Sequence, residues 1–339
     1  MHSTLTQKEA QQEWDQVAHL DATSKGEEVR QGSADPFPFT HDPWYSKLAV
    51  LAIVFLPLLA LGWVIYEFWG GFVGPLQVSL LLGFWAFTGL GISVGYHRML
   101  THRAFEAKPV ARFFLLVAGT MSLQGPPADW AATHIRHHAK ADKEGDPHSP
   151  LEGFWHAHTA WLLRDRFVRA GLAHDKLMLD PVTRFIQKTW VLWVVLTFAA
   201  PALIGYLVMG TWQGAVSGAI WGGLLRVFIG HHITWSVNSI THMFGTRPFK
   251  TPDQARNNWL IGALGWGEGW HNNHHAFPRA AYIGMRWYQI DIGGWLVALL
   301  RVTRQVRNVW MPTKEERAAR RRVKSSNPSR NKSSGNNSA

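Results

Sequence analysis

Long apolar runs alternate with strongly polar stretches along the chain. Four runs reach the roughly 20 residues that a helix needs to cross a bilayer. They lie at about 48–69, 75–96, 190–210 and 213–235. The first two runs are joined only by residues 70–74, and the last two only by Thr211 and Trp212. Such short, uncharged links predict two helical hairpins.

The charged residues between the hairpins indicate how the chain is oriented. The stretch between the two hairpins, and everything after 235, is rich in Arg and Lys. The positive-inside rule then places both termini, the central loop and the C-terminal region in the cytoplasm. The pattern predicts an all-α integral membrane protein, with four transmembrane helices in two hairpins and a cytoplasmic helical cap.

Two shorter segments refine this topology. Residues 111–123 are apolar but too short to span, so we expect them to be re-entrant or interfacial. Residues 286–306 alternate apolar residues with arginines, which is typical of a helix that lies in the interface. The domain prediction is a polar, mostly disordered extension over 1–46 without a signal peptide, a membrane domain with its cap over 47–310, and a basic disordered tail over 311–339.

Composition narrows the chemistry. The chain has no cysteine, which excludes disulfides, thiolate zinc sites, Cys-ligated iron–sulfur clusters and cysteine nucleophiles. Catalysis would therefore use imidazole, carboxylate or a cofactor. The net charge of +11 is concentrated partly in the C-terminal tail. Beside so much apolar sequence, this charge favours contact with anionic membrane lipid over nucleic acid.

The 18 histidines are grouped in a way that suggests metal binding. Three clusters are His97-Arg-Met-Leu-Thr-His102, His134-Ile-Arg-His137-His138 and His271-Asn-Asn-His274-His275. In the last two, the i, i+3, i+4 spacing places three imidazoles on one helical face. Crowded rings repel one another once protonated, and a metal that binds neutral imidazole removes that conflict.

The first cluster has a different spacing. Its i, i+5 separation sets the rings about 140° apart on an ideal α-helix. We therefore expect His97 and His102 to bind different metals, or the helix to end between them. Together with His242 the clusters offer nine imidazoles, too many for one zinc site and suited to two metal ions. Imidazole binds iron, zinc, copper and nickel, so ligand type alone does not choose iron.

The remaining histidines carry less information. We assign His2, His19, His41 and His174 to no site, because a single histidine is usually a satisfied structural residue. Polar rings near a membrane surface often belong to the aromatic belt. A site role is left open for five others of this kind: His148, His156, His158, His231 and His232.

Four motifs in this order resemble the membrane fatty-acid desaturases, specifically the stearoyl-type Δ9 branch. They are Gly95-Tyr-His-Arg-Met-Leu-Thr-His-Arg, Asp146-Pro-His-Ser, Thr234-Trp-Ser-Val-Asn-Ser-Ile-Thr-His and Gly267-Glu-Gly-Trp-His-Asn-Asn-His-His-Ala-Phe-Pro. The resemblance covers roughly residues 45–300. The second histidine box departs from the family's usual His-Arg-x-His-His, since Ile135 precedes Arg136, but no ligand changes.

The resemblance implies a catalytic centre of two iron ions, with O₂ as co-substrate. Its ligands would be His97, His102, His134, His137, His138, His242, His271, His274 and His275. Asn238 matches a position that contacts one iron through a water. Glu268, Asp146 and Asp129 are candidates for carboxylates that orient ligand imidazoles.

The resemblance also implies an acyl tunnel. Gln124 and Trp130 match the region that bends it, and Trp161 and Trp235 are candidate tunnel or interface aromatics. At the expected head-group site the chain reads Arg164-Asp165-Arg166, where acyl-CoA enzymes carry a basic pair. The acid between the arginines weakens the case for coenzyme A, and leaves acyl carrier protein and glycerolipid open as acyl carriers.

The implied activity is O₂-dependent insertion of a cis double bond at C9–C10 of a long-chain saturated acyl group. Electrons would come from a separate donor of the ferredoxin or cytochrome b5 type. Within the superfamily the alternative is a di-iron hydroxylase of an alkane, sterol or carotenoid. From another class, the alternative is a metal transporter or haem-binding membrane protein, although transport sites lie near the bilayer midplane and these histidines cluster at segment ends.

Overall fold

The computed structural model describes residues 38–71 and 73–322, and these residues form a predominantly helical fold. Residues 1–37, which make up most of the predicted N-terminal extension, therefore lie outside the described residues. In chain order the α-helices are α1 Trp44–Trp69, α2 Pro75–Leu90, α3 Pro109–Thr120, α4 Pro127–Lys140, α5 Phe154–His158, α6 Leu172–Leu177, α7 Pro181–Lys188, α8 Trp190–Met209, α9 Trp212–Gly218, α10 Arg226–Met243, α11 Trp259–Leu264, α12 His271–Ala276, α13 Ile292–Val302 and α14 Lys314–Ala319.

Shorter elements complete the fold. Two π-helical segments, Gly91–Thr101 and Ala219–Leu225, continue α2 and join α9 to α10. Pro150–Glu152 and Ala160–Leu163 are single 3₁₀ turns. Strands β1, Glu106–Ala107, and β2, Val306–Arg307, pair antiparallel with Glu106 opposite Arg307.

Among the described residues, three helices are long and apolar enough to cross a membrane: Trp44–Trp69, Pro75–Thr101 and Trp190–Met209. Many of their large side chains point outward, such as Leu59, Phe68 and Leu207, each about 70% exposed. Such apolar surface is expected against lipid. These helices indicate membrane association. The apolar run at 213–235, predicted to be the fourth transmembrane helix, belongs to a longer helical stretch from Trp212 to Met243. Among the described residues, this stretch is not one of the helices that are long and apolar enough to cross a membrane.

The two predicted hairpins differ in their packing. Helices α8 and α9 approach closely through glycines, since a Cβ on Gly205 would lie 2.1 Å from the Gly214 carbonyl oxygen. Small residues permit this approach between apolar helices. In contrast, α1 packs mainly against the π segment Ala219–Leu225, where Trp221 Nε1 donates to Glu67 Oε2 at 2.5 Å. Helix α1 of the first predicted hairpin is thus positioned by its contacts with the second hairpin.

The short apolar segment expected at 111–123 forms the compact helix α3. It packs beneath the π segment Gly91–Thr101, where two glycines remove the side chains that would clash. A Cβ on Gly91 would lie 2.2 Å from the Gly119 nitrogen, and one on Gly95 would lie 2.6 Å from the Leu115 oxygen. This contact places the first histidine cluster against the core.

The C-terminal region differs from its prediction in two ways. Of the expected interfacial segment 286–306, only Ile292–Val302 is helical. The predicted disordered tail contains helix α14, which begins at a capping box in which Thr313 and Glu316 satisfy each other's backbone N–H groups. This capping box favours a helix although the polar composition of the tail predicts disorder. Residues 323–339 of the tail lie outside the described residues.

Candidate metal centre

Nine histidines come together in space and form two adjacent groups. The sequence predicts that this side of the helices faces the cytoplasm. In the first group, each of five histidines offers a ring nitrogen within 4.8 Å of the others. Its members are His97, His102, His134, His138 and His274. The Nε2 atom of His274 lies 3.0 Å from that of His97 and 2.9 Å from that of His138. This group therefore joins all three histidine clusters.

The second group has four members: His137, His242, His271 and His275. The Nε2 atom of His271 lies 3.0 Å from the Nε2 atoms of both His242 and His275. The two groups touch, since the rings of His138 and His275 are 4.6 Å apart between centroids. Within helix α4, His134 and His138 face one group while His137 faces the other, so one helix serves both.

The π-helical segment explains the spacing of the first cluster. His97 and His102 were expected to bind different metals or to be separated by a helix end. The second alternative is confirmed, because the segment ends at Thr101 with His102 as its C-cap, and both rings belong to the first group with centroids 4.7 Å apart. The His102 amide donates to the His97 carbonyl at 3.0 Å, which is the i to i+5 bond of a π-helix. This wider turn stacks residues five apart, which an ideal α-helix does not.

Carboxylates lie beside the Nδ1 atoms of four histidines. In three pairs the ring Nδ1–H donates to the carboxylate at 2.9 to 3.0 Å: His137 with Asp146, His242 with Asp142, and His275 with Asp253. In the fourth pair, a Glu268 oxygen lies 2.7 Å from His97 Nδ1. A proton held on Nδ1 leaves Nε2 as a bare lone pair. The three hydrogen-bonded rings therefore present acceptors to the interior of the second group.

This donor set fits metal ions. In the second group, the bare Nε2 atoms of His242 and His275 face the Nε2 of His271, which can supply at most one proton between them. In the first group, His102 Nε2 is buried and has no hydrogen-bond partner among the described residues. Converging lone pairs repel unless a cation lies among them. Neutral imidazoles of this kind are typical ligands of divalent transition metals.

Burial favours the neutral form, which metals bind, for several of these imidazoles. It lowers the pKa of His134, His271 and His274 well below the usual value of 6.5, and repulsion from neighbouring histidines lowers it further. His137 differs, because although burial tends to lower its pKa, the adjacent Asp146 raises it. Although burial tends to raise the pKa of Asp253, the adjacent His275 and the backbone N–H of Ala255 hold it well below its usual range.

The structure places two of the three predicted orienting carboxylates beside ligands. Glu268 and Asp146 bond to His97 and His137, whereas Asp129 accepts from Gln187 Nε2 at 2.6 Å and contacts His174 instead. Asp129 lies in the first turn of α4, before the histidines of the second cluster.

Two further carboxylates, Asp142 and Asp253, lay outside the sequence prediction. They lie in loops and reach His242 and His275, 100 and 22 residues away. Asp142 also accepts from the backbone N–H of Gln254 at 2.6 Å, so it ties both loops together. Its position four residues after His138 was the available signal. No comparable periodicity marks Asp253.

A buried arginine connects the first cluster to the C-terminal part of the cap. Arg98 is 1% exposed and forms a bidentate pair with Asp291, at 2.8 and 3.2 Å. It also donates to Glu268 Oε1 at 3.3 Å and to the carbonyl of Trp266 at 3.2 Å. Asp291 accepts from the backbone N–H of Gly294 at the start of α13. Through Glu268 this network supports the ring of His97.

A narrow, mainly apolar cavity leads from the histidines into the helices. Its lining includes His97, His134 and His271 together with Trp85, Thr88 and Val227. Gln124 and Trp130 also line it, as the resemblance implied, together with Thr234 and Asn238. Gln124 joins two of these neighbours, because its Nε2 donates to Thr234 at 2.9 Å and its Oε1 accepts from Trp130 Nε1 at 3.3 Å. A polar cross-link therefore forms part of the cavity wall.

The other predicted substrate residues lie outside this lining. Trp161 packs on His148 and Phe167, with ring centroids 5.2 Å apart in each case. Trp235 is buried beside His231 and His232. Arg164 and Arg166 both bond to Glu152, at 2.8 and 3.3 Å. The Glu152 carboxylate, which no sequence motif indicated, thus partly neutralises the charges of both arginines.

The five histidines for which a site role was left open have different surroundings. His148 forms a cluster with His137 and Asp146. His158 shares contacts with His232, whose Nδ1 lies 3.1 Å away, and with Ser239. The buried His231 contacts the Ser122 carbonyl at 2.9 Å, and His156 is buried near Glu152. Of the histidines assigned to no site, His41 and His174 lie outside both groups, and His2 and His19 fall outside the described residues.

Comparison with known proteins agrees with this architecture. A family model described as fatty acid desaturase matches residues 71–295, which contain all nine clustered histidines. The chain belongs to the fatty acid desaturase family. The family is consistent with iron as the metal of the histidine groups and with an oxidoreductase that desaturates fatty acyl chains. It favours this activity over the hydroxylase and transporter alternatives.

Curated relatives cover most of this desaturase. The hex-5-enoyl-[acyl-carrier protein] acetylenase of Moorena producens is 39% identical over 253 residues, which is 71% of this chain and 79% of the relative. The sn-1 stearoyl-lipid 9-desaturase of Anabaena variabilis is 38% identical, covering 70% and 85%. The delta-9 acyl-lipid desaturase 1 of Arabidopsis thaliana is 37% identical, covering 71% and 77%.

Proposed function

We propose that this desaturase inserts a cis double bond at C9–C10 of a saturated long-chain acyl group in a membrane glycerolipid. It would use two irons, O₂ and two electrons from a separate donor of the ferredoxin or cytochrome b5 type. The observation that supports this proposal most directly is the pair of adjacent histidine groups, members of which line an apolar cavity. Two relatives whose names specify acyl-lipid Δ9 activity support the substrate and the position.

The nine histidines divide naturally between two irons. One iron would be held by the group of five, and the other by the group of four with Asn238 acting through a water. Asn238 lies one helical turn before His242 on α10 and lines the cavity. When bound, the irons would supply the activation of O₂ and the removal of one hydrogen from each of two neighbouring methylenes, with water as the second product.

The protein residues contribute positioning and exclusion of water. Asp146, Asp142 and Asp253 hold their ligand rings in one tautomer. The cross-link of Gln124 with Thr234 and Trp130 constrains the acyl chain next to the first group. A fixed path from the head-group site to the irons would select one C–C bond, because position along the chain is then measured by distance.

The membrane arrangement follows from the three apolar helices together with the run from Trp212 to Met243. We place this fourth run across the bilayer, since α9 packs tightly on α8 and the π segment packs on α1 and α2. The histidine groups and both termini would then face the cytoplasm, on the side that the Arg-rich and Lys-rich loops indicate.

The surroundings of the predicted head-group site favour a glycerolipid over coenzyme A. Arg164 and Arg166 share Glu152, and Asp165 is paired with Lys47 at 3.2 Å. Two acids therefore accompany the cations that would meet the phosphates of coenzyme A. A glycerolipid carries less charge at this point, so it needs fewer free cations.

Expression in a host without desaturases tests the activity. Fatty-acid methyl esters, analysed by mass spectrometry with double-bond localisation, should contain a new Δ9 monoene. Separate analysis of the glycerolipid, acyl carrier protein and coenzyme A pools soon after a labelled saturated acid is added should find the monoene first in glycerolipid. Early appearance in another pool would change the acyl carrier but not the reaction.

A matched pair of histidine variants links the product to the metal groups. His274→Ala should abolish the monoene and lower the iron content, because His274 connects all three clusters. His41→Ala, an exposed histidine outside both groups, should retain both. Hydroxylated products, or full activity in membrane-inserted His274→Ala, would contradict the proposal.

A further inference from the structure

A second cavity lies on the far side of the third histidine cluster from the acyl cavity. It has a volume of about 230 Å³ and is formed by α14, the segment around residues 285–289, and Asn273 of α12. Four cationic side chains line it: Arg286, Lys314, Arg317 and Arg321. Within the part of the chain that the structure describes, no acidic residue is part of the lining. The acyl-tunnel and metal assignments do not use this cavity.

The cations of this basic pocket are available for a ligand. Within residues 38–71 and 73–322, no ion pair involves Arg286, Lys314 or Arg321. Glu316, on the same helix, is turned away to cap the Thr313 amide at 2.7 Å. Like charges that converge in one concavity repel one another, and an anion in the pocket removes that repulsion.

The pocket is a built feature of the cap. The backbone of 320–322 pairs with that of 248–250, through bonds such as Lys250 N–H to the Arg320 carbonyl at 2.8 Å. Arg320 in turn donates to the carbonyl of Ala276 at the end of α12. The backbone at the end of helix α14 is thus fixed against the third histidine cluster.

The surface next to the pocket identifies the kind of ligand. Trp287 is 96% exposed and directly follows Arg286, and Tyr288 is also exposed. Helix α13 then exposes Trp295, Leu299 and Val302 along one face, while Val297 on the opposite face is buried. An exposed apolar helical face with flanking tryptophan and tyrosine is typical of a segment that lies in the membrane interface.

We propose that the basic pocket binds the phosphate group of an anionic membrane phospholipid. The apolar face of α13 and Trp287 would enter the outer part of the acyl layer, which brings Arg286 to the depth of the head groups. Basic pockets at the cytoplasmic interface are suited to anionic head groups by charge. This inference requires only that the chain is associated with a membrane, and does not depend on the acyl substrate or double-bond position.

Two double variants with the same loss of charge test the site. Arg286→Gln/Arg321→Gln removes two cations of the pocket, and Arg301→Gln/Arg304→Gln removes two exposed cations at the other end of the interfacial segment. The iron-loaded, delipidated full-length proteins are mixed with phosphatidylglycerol, phosphatidylcholine or inorganic phosphate. Native mass spectrometry then counts the bound molecules.

The wild-type protein should retain one phosphatidylglycerol in preference to phosphatidylcholine. The pocket variant should bind it roughly 30-fold more weakly, which corresponds to about a fivefold contribution from each arginine. The Arg301/Arg304 control should bind like wild type, and Arg286→Lys/Arg321→Lys should recover most of the affinity. Equal binding by both double variants, no preference for phosphatidylglycerol, or retention of inorganic phosphate without lipid would overturn the proposal.

Discussion

The region around the two histidine groups, called the cap below, and the apolar helices achieve order by different means. In the cap, buried polar groups are linked in chains, as in His97–Glu268–Arg98–Asp291. In the apolar helices, few polar contacts occur, and position depends on close backbone approach at residues such as Gly205 and Gly214. Hydrogen bonds and ion pairs therefore fix the side chains of the cap, whereas steric packing fixes the apolar helices, called the membrane layer below.

This difference suits the two tasks. Metal ligands must be held within a few tenths of an ångström, and hydrogen-bonded carboxylates provide that restraint. The helices around the acyl cavity need only exclude water and keep its width, which steric packing can do. Substitutions should consequently act through charge and hydrogen bonding in the cap, and through volume in the membrane layer.

The largest expected effect is at the buried arginine. Arg98→Met removes the cation that Asp291 and Glu268 share, and leaves two buried carboxylates without it. Breaking a buried pair from one side costs about 3–5 kcal/mol. The free energy of unfolding, measured in detergent, should fall by this amount, and the iron content should fall with it.

The exposed pair of Arg307 with Glu106 supplies a control for this variant. Its guanidinium is 73% exposed and lies 2.8 Å from the carboxylate. Because solvent screens such a pair, Arg307→Met should change stability little. If Arg98→Met were no more destabilising than Arg307→Met, the buried network would not be what restrains the cap.

A smaller effect is expected at a carboxylate that orients one ligand. Asp253→Asn keeps the volume but weakens the hold on the His275 Nδ1–H. Loss of such a partner typically lowers metal affinity about 10- to 100-fold. Iron retention against a chelator should fall accordingly, with less effect on unfolding than Arg98→Met. Asp175→Asn, at a 75% exposed aspartate outside the metal groups, should behave like wild type. Unchanged iron affinity in Asp253→Asn would show that the ring is held by packing.

The second and third histidine clusters could be singled out from the sequence because their spacing is local. The i, i+3, i+4 pattern on α4 and α12 is visible without any tertiary information. His242 required the family resemblance, because it stands alone on α10. The sequence left open whether His97 and His102 share one group, because the π-helical turn depends on packing: Gly91 and Gly95 lie against α3.

The orienting carboxylates show where sequence reasoning reaches its limit. Glu268 lies three residues before His271, yet it serves His97, which is 171 residues away along the chain. Asp142 and Asp253 come from loops whose conformation is fixed only by the folded cap. The same holds for helix packing. Apolar length predicted four membrane helices, of which three are long and apolar enough among the described residues, but it did not predict that α1 packs against the second hairpin.

The smallest expected effect is in the membrane layer. Gly205→Ala adds a methyl group only 2.1 Å from the Gly214 oxygen, so α8 and α9 must separate. Overpacking of this kind costs about 1–2 kcal/mol. The thermal midpoint in detergent should fall while the iron content is retained, since no metal ligand moves. Gly62→Ala in α1 is the matched control, because nothing lies within 4 Å of the added carbon and alanine favours a helix. Loss of iron in Gly205→Ala would mean that the helix contact and the metal site are coupled, and that the two regions are not separately restrained.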